Sequence, residues 1–307
     1  LIRVSVYTAI LFKVLSTLCF AVMSAFARGL GETFPVGQVV FFRAAVAFVP
    51  VLIFYAWRGE IWTAMHTTRP FGHVARGLFG VAAMFCGFAA LARVPIADVT
   101  AIGFSTPLII VALAGLLLGE RVRIYRWSAV IIGLVGVLVI LAPHLTFGVN
   151  DISEVGALLA VMNAILAAAA YIQIRRLTSS ETTSAIVLYF FLISSIVGLA
   201  TLPLGWVWPD PRHWVGLCLM GVAGGIGQLF MTESYRYAPA SLTAPFDYAS
   251  IIWVVIIGYF AFDEVPGISV WIGSAIVIAA GLFVIWRERQ LSLQRQRERE
   301  AQSPSVS

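Results

Sequence analysis

The chain has 307 residues, 60% of them hydrophobic and 11% charged, against roughly 45–50% and about 25% in an ordinary soluble domain. With a mean hydropathy of +0.94, there are too few charged side chains to cover a water-soluble globule of this size, and the same apolar excess excludes disorder. The net charge of +5 comes with no basic stripe interleaved with aromatics, which excludes a nucleic-acid surface, while Cys19, Cys86 and Cys218 lie singly in apolar runs without metal-ligand spacing.

A bilayer core about 30 Å thick takes ~20 residues per helical crossing. Apolar runs punctuated by Arg, Pro, Gly and Asp place ten crossings at 5–27, 35–57, 71–92, 95–118, 124–142, 154–177, 183–204, 212–235, 239–262 and 267–286. They use up the chain and predict an all-α integral membrane protein. The first run carries little positive charge before it and no small-residue cleavage site, which reads against a removed signal peptide. With a cytoplasmic N-terminus, fifteen of the 20 Lys and Arg fall at cytoplasmic ends, Arg76 among them. Three fall at external ends, and Lys13 and Arg43 lie inside crossings. That bias predicts a multi-pass membrane protein with both termini cytoplasmic.

In chain order, the first crossing sets Lys13, Ser16, Thr17, Phe20 and Ser24 on one helical face, which points away from lipid. Lys13, about 12 Å deep, either holds a carboxylate or phosphate or snorkels to the headgroups. Arg43 in the second crossing lies at similar depth and either binds a substrate carboxylate bidentately or ties neighbouring helices together. The third brings Phe85 among several aromatics. The fourth starts at Pro95 and contains Pro107, with Thr100, Phe104 and Pro107 on one face; an internal proline removes a hydrogen bond, kinks the helix and frees carbonyls. The sixth offers Asn163 and Tyr171, and the eighth aligns Gly221, Gly224, Gln228 and Thr232. These polar groups suit either a substrate or an interhelical hydrogen bond.

The ninth crossing repeats the proline pattern with Pro239 and Pro245 and places Asp247 beside Tyr248. Asp247 binds a substrate ammonium, carries a proton in exchange, or pairs with Lys13 or another cation. Asp98 and Glu233 lie nearer helix ends and read as interfacial charges, as do Trp127 and Trp271 as interface anchors. His66, His73, His144 and His213 stand in or beside loops, so no dense acid/His relay crosses the membrane. The segment 287–307, with five Arg and three Glu, is a solvated, partly helical extension.

At an offset of 144 residues, Gly72, Gly77, Gly80, Pro95, Glu120 and Trp127 fall on Gly216, Gly221, Gly224, Pro239, Glu264 and Trp271. More weakly, an offset of 148 matches Arg28 to Arg176. Each copy holds five crossings, an odd number, so the second enters from the opposite face: two inverted-topology repeats. The units are 1–142, an external linker 143–153, 154–286 and a cytoplasmic tail 287–307. The chemistry is less symmetric than the fold, because Phe191 occupies the region matching Arg43.

With this duplicated unit, with FFRAAVAFVP (Phe41 to Pro50), and with the paired segments RVPIADVTAIGFSTPLIIVALAGLLLGERV (Arg93 to Val122) and YAPASLTAPFDYASIIWVVIIGYFAFDEV (Tyr237 to Val265), the sequence resembles the drug/metabolite transporter superfamily. It is most similar to the ten-helix branch with two EamA domains, and within it to bacterial amino-acid exporters of the YddG type. The resemblance implies a central cavity ringed by crossings one, three, four, six, eight and nine, with five and ten peripheral.

The function expected is export of amino acids, aromatic or amphiphilic ones included, and of related metabolites by facilitative alternating access. Proton-coupled antiport through Asp247 is the alternative. Substrate contacts are expected from Lys13, Thr17, Phe85, Thr100, Phe104, Asn163, Tyr171, Gln228, Thr232, Asp247 and Tyr248, with Arg43, Pro107 and Pro245 in gating or structural roles. No cofactor or metal is called for. The absence of HExxH, GxSxG or P-loop patterns reads against an enzyme, and the polar helix faces read against a bare scaffold. Gly133, Gly136, Gly273 and Gly281 serve either oligomer contacts or internal packing.

Overall fold

The computed structural model describes residues 2–57, 59–117, 124–144, 152–177, 180–237 and 244–302. Among them all regular structure is helical: α1 (Ile2–Leu30), α2 (Val36–Trp57), the short α3 (Ile61–Met65), α4 (Pro70–Leu91), α5 (Ile96–Gly103), α6 (Thr106–Leu117), α7 (Ile124–Leu141), α8 (Ile152–Leu177), α9 (Thr183–Ala200), α10 (Pro211–Tyr237), α11 (Ser250–Phe262) and α12 (Ile268–Gln302). A 3₁₀ turn at Ala244–Ala249 precedes α11. Among the described residues five helices are long and apolar enough to cross a membrane, and Ile96–Ile110, Trp127–Leu141, Ser184–Ala200, Phe246–Phe262 and Ile268–Val284 are shorter apolar segments that fall in the five other expected crossings.

The polarity is that of a protein in lipid. Ile53, Ile131, Leu134, Leu158, Ile196 and Ile252 stand exposed on the outside, while Lys13, Gln38, Arg43, His73, Arg76, Asp98 and Gln228 are buried. Backbone groups inside hydrocarbon must be satisfied within the segment, which is why every crossing is helical. The helices pair across the two halves: α1 on α10, α4 on α8, α2 on α9, α7 on α12 and α5 on α11. In terms of crossings, one meets eight and three meets six, so each pairing maps onto another or onto itself when the halves are exchanged.

The fourth and ninth crossings are both interrupted. Between α5 and α6 the chain turns at Phe104 and Ser105, where the Ser105 hydroxyl donates to the Ile102 carbonyl at 2.7 Å; Pro107 is the second residue of α6. Pro245 stands in the 3₁₀ turn before α11. Helices α7 and α12 meet through small residues: a methyl group added at Gly273 would lie 2.6 Å from the Gly136 carbonyl, and one at Gly136 2.9 Å from that of Gly273. Glycine here lets two backbones approach. Gly133 lies under Leu108 and Gly281 under the Tyr248 hydroxyl, so all four of these glycines are occupied by packing within the chain.

Candidate functional site

The first polar constellation joins α1 to the interrupted ninth crossing. Lys13 is 1% exposed, and its Nζ lies 2.7 Å from Asp247 Oδ1. The Asp247 side chain keeps 42% of its surface open. One turn further along α1, the Thr17 hydroxyl donates to the Val14 carbonyl at 2.8 Å and accepts from Trp253 Nε1 at 3.2 Å. The Ser250 hydroxyl donates to the Asp247 carbonyl at 2.7 Å, closing the turn that presents the carboxylate. Tyr248 packs edge-on against Phe104, with ring centroids 5.2 Å apart. The α1 face of Lys13 and Thr17 thus meets the broken ninth crossing, which packs on the fourth through Phe104, and irregular backbone there suits a binding position.

A second constellation lies toward α4, α8 and α10. Tyr171 on α8 donates its hydroxyl to the Met231 sulfur at 3.9 Å, and Gln228 is buried on α10. The Asn163 amide lies against Gly87, where an added methyl group would come within 3.1 Å of its oxygen. Phe85 is partly buried against the main core, and Thr100 sits half-buried on α5. The side chains of Thr232, Pro107 and Pro245, with Glu120, Pro239 and Thr243, lie outside the described residues.

Three features went unseen in the sequence. Arg76 is not at a helix end: it is 6% exposed, with its guanidinium carbon 4.0 Å from the Phe190 ring centroid. The signal was present, since Arg76 stands six residues past helix-starting Pro70, about 9 Å along the axis. The bias that sets the orientation keeps its sign without it. Asp98 and His73 are likewise buried, Asp98 in the first turn of α5 and His73 in the first turn of α4 beside the loop. His73 Nε2 sits 3.3 Å from Glu181 Oε2, and the Thr68 N–H and hydroxyl donate to Glu181 Oε1 at 2.9 and 2.7 Å. Partial desolvation pushes the Glu181 carboxyl up, but hydrogen bonds from Thr68, His73 and Thr67 outweigh it and hold the group down at about 2.

The third feature ties the opposite end of the bundle. Arg28 Nε meets Glu264 Oε1 at 3.1 Å, and its Nη1 donates to the Leu91 carbonyl at 2.6 Å. The second oxygen of Glu264 accepts the Ile96 N–H at 3.0 Å, capping α5, which begins after Pro95 without a side-chain cap of its own. Asp263, in the left-handed region at φ 53°, turns the chain so that Glu264 points back to α5. The Gln38 amide adds a two-way clasp there, donating to the Val207 carbonyl and accepting its N–H at 2.8 and 3.1 Å.

Among the described residues no cluster of His, Cys, Asp and Glu has a metal-binding arrangement. The EamA-like transporter family matches the chain twice, over residues 7–142 and 154–286. The pseudopaline exporter of Pseudomonas aeruginosa is 29% identical over 91% of this chain and 93% of its own. The S-adenosylmethionine uptake transporter of Rickettsia prowazekii is 27% identical over 90% and 92%. A solved crystal structure superposes on 93% of this chain and 99% of that one, with a TM-score of 0.65 at 21% identity, which shows a common fold.

Proposed function

Because this chain belongs to the EamA-like transporter family, and is a multi-pass membrane transporter of small molecules rather than an enzyme, we propose that it exports amino acids and related metabolites across a bacterial inner membrane by facilitative alternating access. The halves 1–142 and 154–286, joined by 143–153, rock about a midplane site, with both termini and the tail 287–307 on the cytoplasmic side.

The observation that carries this reading is the Lys13–Asp247 pair at 2.7 Å, buried at its cationic end and open at its anionic end. A zwitterion entering beside Asp247 exchanges one internal ion pair for two: its ammonium takes the aspartate and its carboxylate takes the lysine. Charges already placed and partly desolvated suit such a ligand, because neither loses its partner in the exchange. Phe104, Tyr248 and Trp253 flank the pair and favour an amphiphilic or aromatic side chain. Thr17, Phe85, Thr100, Asn163, Tyr171 and Gln228 extend the lining, and the breaks at Pro107 and Pro245 let the halves tilt.

Proton-coupled antiport is the second reading, favoured by the same opening at Asp247, since a carboxylate released from Lys13 has access to a proton. Efflux of amino acids from loaded proteoliposomes, with and without a pH gradient, separates the two. The expected result is efflux indifferent to the gradient and lost in Asp247→Asn. Acceleration by an opposing proton gradient would establish antiport, and undiminished efflux from Asp247→Asn would remove the site.

A further inference from the structure

Arg43 and Arg76 are 4% and 6% exposed, and among the described residues Nε and Nη1 of both lack a hydrogen-bond partner. Their guanidiniums share one aromatic ring: the Arg76 carbon lies 4.0 Å and the Arg43 carbon 5.5 Å from the Phe190 centroid, with Arg43 also 5.3 Å from Phe191. The two like charges therefore stand within about 10 Å of each other in an apolar interior, where they repel. A ring beneath a guanidinium attracts its charge but accepts none of the N–H donors lying in its plane. The carboxylates of Asp247, Glu264 and Glu181 are engaged elsewhere, by Lys13, Arg28 and His73.

The depth and the surroundings place this pair at the interface of the two repeats, against α9 and beside α10. Arg43 lies seven residues into α2 and Arg76 six residues into α4, and these helices enter from opposite faces. Each cation is thus about 10 Å inside a core of about 30 Å, one reached from either side, with the midplane between them. Arg43 Nε passes beside Gly224 of α10, where an added methyl group would sit 3.2 Å from it, and Arg76 Nη1 passes against Gly80. Gly224 is one helical turn from Gln228, and Arg76 lies within electrostatic reach of Tyr171. The rings belong to the second repeat and both cations to the first.

Symmetry argues against a purely structural role. Gly80 and Gly224 are equivalent positions of the duplicated unit, yet the equivalents of the cations are apolar: the 144-residue offset sets Met220 against Arg76, and Phe191 occupies the region matching Arg43. A scaffold needing a buried guanidinium at these places would need it in both halves. We propose that Arg43 and Arg76 form a second subsite, at the interface of the repeats, that receives a carboxylate of the cargo. This rests on the exporter reading and, in place of the aromatic side chain favoured there, selects amino acids that carry an additional carboxylate. The fork of a guanidinium pairs two N–H donors with the two oxygens of a carboxylate, and the midplane position lets the cargo keep one arginine as access passes from one face to the other.

The test uses the full chain, purified in detergent for unfolding midpoints and reconstituted for export, with glutamate, leucine and inorganic phosphate as probes. Glutamate is expected to raise the midpoint of the wild type by several degrees more than leucine or phosphate does. Arg43→Met and Arg76→Met are expected to raise the midpoint of the unliganded protein, because each removes an uncompensated buried charge. They are also expected to abolish the glutamate-specific shift and lower the glutamate-to-leucine export ratio tenfold or more. Arg76→Lys, which keeps the charge without the fork, is expected to retain less than half of the shift. The subsite is overturned if the Met variants unfold earlier or fail to fold, if glutamate stabilises the wild type no more than leucine, or if phosphate surpasses glutamate. If the midpoint results hold while no amino acid leaves the liposomes, the subsite stands and the exporter reading falls.

Discussion

Lys13 and Asp247 form their 2.7 Å ion pair with unequal exposure, 2% of the lysine side chain and 42% of the aspartate side chain being accessible. Removing either partner therefore has a different consequence. Asp247→Ala strands an ammonium with almost no exposed surface, at a cost of about 3–5 kcal/mol. Lys13→Met leaves a carboxylate that keeps part of its surface open and is expected to cost less. Unfolding midpoints of the two single variants and the double variant check this. The double variant is expected to be more stable than Asp247→Ala alone, and equal losses from the two single changes would contradict the asymmetry.

Glu264 links Arg28 of α1 to the first amide of α5. Glu264→Gln keeps an oxygen for the Ile96 N–H and loses the charge facing Arg28. Glu264→Ala loses both and costs about 1–2 kcal/mol through the uncapped helix alone. Stability is expected to fall in the order wild type, Gln, Ala. Hydrogen exchange at Ile96 should quicken markedly only in the Ala variant. If Gln and Ala speed that amide alike, the carboxylate is not its cap.

The ten crossings and their inverted duplication were legible in the sequence because a bilayer allows only apolar helices of fixed length and makes an odd repeat invert. The Lys13–Asp247 pairing was one of three alternatives, legible because equal depth is read by counting residues along each crossing. Arg76 was lost because a cation near a helix start looks like an end marker, and only its contact with Phe190, 114 positions later, shows otherwise. His73 and Glu181 were lost for a related reason: their partnership joins segments 108 residues apart, and no local pattern encodes it. The glycines of α7 and α12 showed a close approach but not whether its partner was this chain.

That last ambiguity gives the third prediction. An added methyl group at Gly273 meets the backbone carbonyl of Gly136, which no rotamer change moves aside. Gly273→Ala is expected to destabilise by about 1–3 kcal/mol, as overpacking does. The oligomeric state by size-exclusion with light scattering should remain that of the wild type. A change of oligomeric state without loss of stability would move this seam to a contact between copies.

The loop between α8 and α9 supplies a pH dependence whose sign follows from its geometry. Glu181, with an ordinary carboxyl value of 4.5, is held near 2 by donors from Thr68, His73 and Thr67. A depressed value means that the folded state binds the carboxylate's proton less readily than the unfolded chain does. Its contribution is fully present above the unfolded value and drains away as pH falls from roughly 5 toward 2. Glu181→Gln removes the titrating group, so its unfolding midpoint should begin lower at pH 6 and lose less between pH 5 and 3.5 than the wild type does. The clasp joins the chain after α3 to the chain before α9, and so one half to the other. Parallel curves for the two proteins across that window would mean that Glu181 contributes no proton-linked stability at this seam.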